Sequence, residues 1–333
     1  QSQWPFEWFS HELYPLDRST VTGRIHVTTG QRCDSIRVVL AEPDKDVYAQ
    51  GKGYIFWAMT DRDGTFRIPH VRKGSYALYA YAMAGDVTDE LQQKDITVTE
   101  ADTQLGTIDW TPACYEHKLW QIGENNRLSD GFRYSDTLRA YGLWTLPPTN
   151  LTYRVGESRE ADDWYYAQTQ NGTWTVDFDV DKTYTGNACL TASVAGAANS
   201  PKVAVGVNGQ NKANWTFYND AAIYRSGVLG GRHSVQTCTF PASLLKKGRN
   251  KVTFTMSGIK NNGGVMWDCI KLEAGQKVVS AVSLPVADRR DAPVEIYTLD
   301  GVRVGTFGRL SEVKGLRGIH IYRQGGKTGK LIF

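Results

Sequence analysis

The sequence predicts an all-β protein built from successive sandwich domains, and three observations carry that prediction. Apolar and polar residues alternate with a period of two in one stretch after another, which puts one face of a strand on a core and the other in water. The chain is rich in Gly (33), Tyr (17) and Trp (10), which suits short strands joined by tight turns. Helical periodicity is scarce. At 333 residues the chain has room for two to three domains with cores of their own.

Residues 1–17 read as an N-terminal linker. Val21, Ile25 and Val27 alternate in the first strand, and a second runs from Ser75 to Ala84, with Tyr76, Leu78, Ala80 and Ala82 on one face and Tyr79 and Tyr81 on the other. Between them Asp61-Arg62-Asp63-Gly64 is a hairpin turn signal, because Asp-Gly tolerates the positive φ of a tight turn. These segments define a first sandwich over residues 18–112. Residues 113–149 hold no sustained period, yet Trp120, Phe132, Tyr141 and Trp144 are too apolar for disorder, so they read as an ordered connector. Alternation returns at Leu151, is clearest in Trp174-x-Val176-x-Phe178-x-Val180 and Val252-x-Phe254-x-Met256, and ends at Ile270-x-Leu272. A larger sandwich over 150–275, most economically a jelly roll, accounts for it. Val278 to Arg290 reads as a linker, and two short strand patterns, around Val294-x-Ile296 and Ile319-His320-Ile321-Tyr322, place a small C-terminal β domain over 276–333.

Composition excludes several functions. Thirty-eight basic residues against 35 acidic leave a net charge of +3 without a basic cluster, so nucleic acid is not an expected partner. No apolar run approaches the ~20 residues of a membrane helix, and membrane insertion is not expected. The chain begins with Gln1 rather than Met, as a chain does once an export signal is trimmed or at a segment boundary. Five cysteines, Cys33, Cys114, Cys189, Cys238 and Cys269, lie far apart with no C-x-x-C pair. Zinc is therefore not expected, and buried thiols are favoured over a disulfide framework.

Four spaced signatures, Tyr54-x-Phe56-Trp57, Asp61-x-Asp63-Gly64-x-Phe66, Leu151-x-Tyr153-x-Val155-Gly156 and Gly264-x-Met266-x-Asp268, carry a resemblance to a known family. Further matches extend it from Trp4-Pro5-Phe6 through Leu119-Trp120-x-Ile122-Gly123 and Tyr141-Gly142-Leu143-Trp144 to Glu273. The chain resembles the C-terminal two-thirds of the rhamnogalacturonan endolyases of polysaccharide lyase family 4. The resemblance implies a fibronectin-III-like first sandwich and a carbohydrate-binding-like jelly roll. It also implies that the catalytic Lys and His belong to an N-terminal domain that no part of this sequence matches. Where the family usually has Pro-Asp-Arg, this chain has Asn125-Asn126-Arg127. The tail, with Ile296-Tyr297-x-Leu299-Asp300-Gly301 and Gly318-Ile319-His320-Ile321-Tyr322, is similar to sorting segments of type IX secretion, which implies a secreted or cell-surface protein.

β-Elimination on a uronide needs a base near the C5 proton and a cation on the carboxylate. Among six histidines only His233, beside Arg225 and Arg232, mimics that pairing, and a plain solvated loop is the competing reading. Sugar binding needs an aromatic face for the ring and short polar groups for the hydroxyls. Asn208, Trp215, Tyr218, Asn219, Asp220 and Arg225 have that composition, with Arg225 placed to pair with a galacturonate carboxylate and Trp215 equally readable as core. Asp163 and Asp268 are candidate ligands for a structural calcium, against a capped turn or a surface salt bridge. The favoured expectation is non-catalytic recognition of a plant cell-wall polysaccharide, rhamnogalacturonan I, with a separate lyase catalytic domain as a further partner. The alternatives are a lyase with an unrecognised active site and a structural spacer or docking module.

Overall fold

The computed structural model describes residues 5–43, 55–99, 102–137, 142–220, 223, 231–260, 262–278, 294–298, 303–307, 313, 319–324 and 327–332. Trp4, Tyr54, Tyr141, Arg225, Gly318, Leu299 to Gly301 and all of the expected 278–290 linker except Val278 lie outside these residues. The chain forms two compact units, residues 1–280 and 281–333.

The first sandwich comprises β1 (Ser19–Val27), β2 (Cys33–Ala41), β3 (Phe56–Met59), β4 (Thr65–Val71), β5 (Gly74–Gly85), β6 (Glu90–Val98) and β7 (Thr103–Trp110). They form a three-stranded sheet, β4-β1-β7, and a four-stranded sheet, β3-β2-β5-β6. The alternation in β5 works as its sequence requires. Tyr76, Leu78, Ala80 and Ala82 enter the core with Val21, Ile25, Val38, Phe66 and Trp110, and Tyr79 and Tyr81 face away from it. The Asp61 to Gly64 turn is present, but it links strands of different sheets, because β3 pairs with β2 and β4 with β1. Asp61 accepts hydrogen bonds from the Asp63 and Thr65 amides at 3.0 and 2.8 Å, and Gly64 sits at φ +82°, where a Cβ would collide with the Ile25 carbonyl. A turn signal thus specifies the reversal and leaves open which sheet the next strand joins.

The larger sandwich is made of β8 (Cys114–Ile122), β9 (Leu151–Arg154), a one-turn helix α1 (Glu160–Asp163), β10 (Ala167–Gln168), β11 (Gly172–Val180), β12 (Asn187–Ala198), β13 (Lys202–Val207), β14 (Gln210–Thr216), β15 (Ser234–Pro241), β16 (Gly248–Ser257) and β17 (Gly264–Val278). One sheet runs β10-β17-β12-β15 with β8 also on β17, and the other runs β14-β13-β16-β11-β9. The start of the expected connector is therefore a strand of this domain: Ile122 to Cys114 pairs antiparallel with Ile270 to Val278. Its Glu116, His117 and Lys118 are exposed, so the alternation that marks a strand is faint there. Trp164, Trp174, Trp267, Phe178 and Phe254 fill the space between the sheets and are fully buried. Burying each Trp side chain is worth roughly 4–6 kcal/mol of transfer free energy at about 25 cal/mol per Å².

The two sandwiches meet along a polar seam. Lys271, 1% exposed, pairs with Glu273 at 3.3 Å and donates to the Asp86 carbonyl of the first sandwich at 2.7 Å. Arg32 bonds both oxygens of Glu124, at 3.1 and 3.0 Å. Arg127 pairs with Glu90 at 2.8 Å while its guanidinium stacks on Tyr81 at 3.3 Å. The Arg shared with the Pro-Asp-Arg motif thus serves as a cross-link between the sandwiches.

The second unit is a four-stranded sheet, β19-β18-β20-β21, of β18 (Val294–Tyr297), β19 (Arg303–Phe307), β20 (Ile319–Gln324) and β21 (Lys327–Ile332), with Val294, Ile296 and Val313 as its small core.

Candidate functional site

Several of the residues anticipated for sugar binding are committed to the scaffold. Asn208 and Gly209, at φ +48° and +81°, form the two-residue turn joining β13 to β14, the Asn-Gly hairpin that matches strand twist. The Asn208 amide donates to the Leu244 carbonyl and to Asn250, and its oxygen accepts the Lys251 N–H at 2.9 Å, so both its donors are spent inside the protein. Trp215 is 3% exposed, packs against Phe254 and donates Nε1–H to the Thr237 carbonyl at 3.3 Å. It is a core residue and presents no face to a ligand. Asp220 holds two backbone segments together, accepting the Ala197 and Arg232 amides at 3.1 and 2.8 Å. Arg225 lies outside the described residues.

Tyr218 is different. It is 55% exposed, and the Arg232 guanidinium covers its ring at 3.6 Å. Its neighbour Asn219 lines an open polar pocket of about 820 Å³ together with Asn199, Ser200, Gly258 and Lys260. The pocket stands at one end of the sandwich, where the chain leaves β12, β14 and β16. Asn side chains tie its loops to one another: Asn219 accepts the Asn199 N–H at 2.7 Å, and the Asn199 amide donates to Asn262, also at 2.7 Å. Asn199, Ser200 and Asn262 adopt φ of +60°, +48° and +59°, a region that costs a side-chain-bearing residue about 1 kcal/mol or more. Lys260 is exposed and makes no ion pair among the described residues, so its charge is open to a ligand.

His233 belongs to a second polar cluster. Ser193 bridges it to Asp268: the hydroxyl lies 2.9 Å from His233 Nε2 and donates to Asp268 Oδ2. Asp268 also accepts the Asn126 N–H at 3.1 Å. Burial raises the Asp268 carboxyl to about 7, against the hydrogen bonds that favour its charge, and burial, with the charge of Arg127, lowers the His233 imidazole to about 3. The order is acid, hydroxyl, imidazole, so the carboxylate does not orient the imidazole as in a Ser-His-Asp triad, and an imidazole this weakly basic is badly matched to taking a C5 proton. His233 is held by Ser193 within this polar cluster. The two candidate calcium ligands are each engaged by protein groups. Asp163 Oδ2 accepts the Arg159 N–H at 2.8 Å, a capped turn, and Asp268 is buried on Ser193 and Asn126. No group of three or more His, Cys, Asp or Glu among the described residues is arranged to hold a metal.

Sequence reasoning reached Tyr218 and Asn219 and missed Asn199, Ser200 and Lys260. Asn-Ser-Pro at 199–201 and Lys-Asn-Asn-Gly-Gly at 260–264 are turn sequences and mark loops, but only the fold brings those two loops together.

Two mostly antiparallel β-sandwiches, with β1 and β7 and likewise β9 and β11 as parallel pairs and a polar pocket on the loop rim of the second, define a protein of successive sandwich domains. Residues 29–105 match polysaccharide lyase family 4, domain II, and residues 118–272 match domain III of the same family. The chain belongs to polysaccharide lyase family 4. It is 36% identical over 280 residues to a rhamnogalacturonate lyase of Dickeya dadantii, covering 82% of this chain and 46% of that protein. It is 23% identical over 299 residues to a probable rhamnogalacturonate lyase C of Aspergillus oryzae, covering 72% of this chain and 42% of that one. The chain thus spans under half the length of these curated relatives. Among solved structures, a family 35 carbohydrate-binding module from Clostridium thermocellum aligns at 18% identity over 30% of this chain and 69% of its own, with a TM-score of 0.22.

Proposed function

We propose that this chain is the polysaccharide-recognition part of a rhamnogalacturonan lyase, exported or held at the cell surface, and that it binds rhamnogalacturonan I at the loop rim of its second sandwich. Elimination belongs in this reading to a separate catalytic domain. One observation carries it: an exposed tyrosine, backed by Arg232, stands next to a pocket lined by Asn199, Ser200, Asn219 and Lys260. An aromatic face and short polar groups at a sandwich rim are the parts a pyranose requires. The family relationship supports the polysaccharide as the ligand. The polar seam between the sandwiches supports their acting together as one body behind the site. Residues 281–333, a compact unit of their own, are the proposed sorting segment.

The test is calorimetric titration of the chain with rhamnogalacturonan I. Tyr218→Ala, a substitution on the surface, should weaken binding about tenfold with an unchanged melting temperature, the size of one lost stacking contact of about 1–1.5 kcal/mol. Undiminished binding in that variant would sink the rim site.

A further inference from the structure

Among the described residues the rim pocket carries one cation amid neutral polar groups, and that asymmetry names the part of a glycan it reads. Asn199, Ser200 and Asn219 supply amides and a hydroxyl, groups that bond sugar hydroxyls of any kind, while Lys260 supplies a charge that no carboxylate among the described residues neutralises. Among the described residues neither Asp nor Glu lines the pocket. An ammonium facing hydroxyls and amides gains little from a neutral sugar, but it gains a charge-assisted hydrogen bond from a carboxylate. The surroundings fix the approach. Arg232 lies on one face of Tyr218, so the remaining exposure of that ring is where a pyranose would stack. The Asn199 to Asn219 and Asn199 to Asn262 hydrogen bonds hold the flanking loops in place, and three side-chain-bearing residues keep left-handed backbone there, so the pocket is preorganised rather than gathered by the ligand.

We infer that the pocket formed by Asn199, Ser200, Asn219, Gly258 and Lys260 selects an acidic sugar, with Lys260 on the uronate carboxylate and the Asn and Ser groups on its hydroxyls. The inference rests on the reading of this rim as a glycan site and adds the residue class that the site discriminates. Lys260 is the specificity-determining group, and Tyr218 contributes affinity without regard to charge.

The experiment compares rhamnogalacturonan I with the same polymer after chemical reduction of its uronate carboxyls to alcohols, using the full chain and two variants, Lys260→Gln and Tyr218→Ala. Native polymer should bind the wild-type chain about five- to tenfold more tightly than reduced polymer, the effect of one charge-assisted contact in a half-open site. Lys260→Gln should lose that preference while keeping its affinity for reduced polymer, and Tyr218→Ala should weaken both polymers alike. Added salt should erode the preference of the wild-type chain and leave Lys260→Gln unaffected. Equal binding of the two polymers by wild type, or a preference that survives in Lys260→Gln, would overturn the inference and leave the glycan site standing. A wild-type chain that binds neither polymer would overturn the glycan site and this inference together. Lys260 is exposed, so its variant should fold, and an unchanged melting curve verifies that.

Discussion

Asp268→Asn is the perturbation whose pH consequence can be worked out most fully. In the folded chain Asp268 titrates near 7 instead of 3.8, and His233 near 3 instead of 6.5, both chiefly through burial. Between about pH 4 and 6.5 the unfolded chain therefore carries a proton on the histidine, and the folded chain carries one on the aspartate. The proton counts are equal, so the pair adds no slope to stability in that window. Ser193 lies between the two, and a hydroxyl can donate to an ionised carboxylate or, when the acid holds the proton, to the imidazole nitrogen. Replacing Asp268 by Asn keeps the shape and leaves His233 as the only titrating member. Its folded value is depressed, so its contribution is complete above 6.5 and is lost as pH falls towards the folded value. The unfolded state then binds one extra proton, worth at most about 1.4 kcal/mol per pH unit, and allowing for partial exposure of the ring the variant should lose on the order of 2 kcal/mol relative to wild type between pH 6.5 and 4.5. His233→Gln should do the opposite, keeping only the raised aspartate and losing stability as pH rises from about 4 to 7. The assay is urea unfolding followed by Trp fluorescence at several pH values. Parallel profiles for wild type and Asp268→Asn across this window would refute the reasoning.

Other outcomes follow from burial. Lys271→Met removes the partner of a carboxylate that is 4% exposed, and should cost about 3 kcal/mol as a lowered unfolding midpoint; an unchanged midpoint would mean that the seam contributes nothing. Trp215→Ala should destabilise the second sandwich by about 3–5 kcal/mol, seen in thermal melts, because it empties a core site. A folded, fully stable Trp215→Ala chain with reduced glycan affinity would instead return that ring to the ligand. Burial pushes the Cys33 thiol up to about 11 and Cys269 well above its ordinary value, so Ellman's reagent should react slowly with native protein. After denaturation without reductant it should count five thiols, and a lower count would reveal a disulfide.

The sequence made the fold legible wherever strands have two distinct faces. Trp174 to Val180 and Ser75 to Ala84 alternate because one side meets the core, and the structure places those faces as the pattern requires. Legibility faded where strands are polar. β14 reads Gln-Asn-Lys-Ala-Asn-Trp-Thr, and with most of its side chains in or near solvent it looked like a binding loop although it is an edge strand closed by an Asn-Gly turn. The ambiguity of Trp215 has that origin: an aromatic within polar sequence reads equally as rim or core, and here it turns inward with Ala213 from an edge strand. The pairing of β8 with β17 was hidden for the same reason. The site itself was half visible. Tyr218 and Asn219 stand out by type, but Lys260 joins them only because β12, β14 and β16 end side by side, a long-range consequence of sheet order that no local pattern records. The Ser193, His233 and Asp268 cluster was equally out of reach, since its members come from β12, the start of β15 and β17.

The measurement that bears most directly on the central claim is a titration of the purified chain with rhamnogalacturonan I in which heat of binding and ultraviolet absorbance of unsaturated uronide are followed on one sample. Saturable binding with a flat absorbance trace is the predicted result. Rising absorbance would place an active lyase site within this chain, and a flat trace without binding would contradict the recognition function itself.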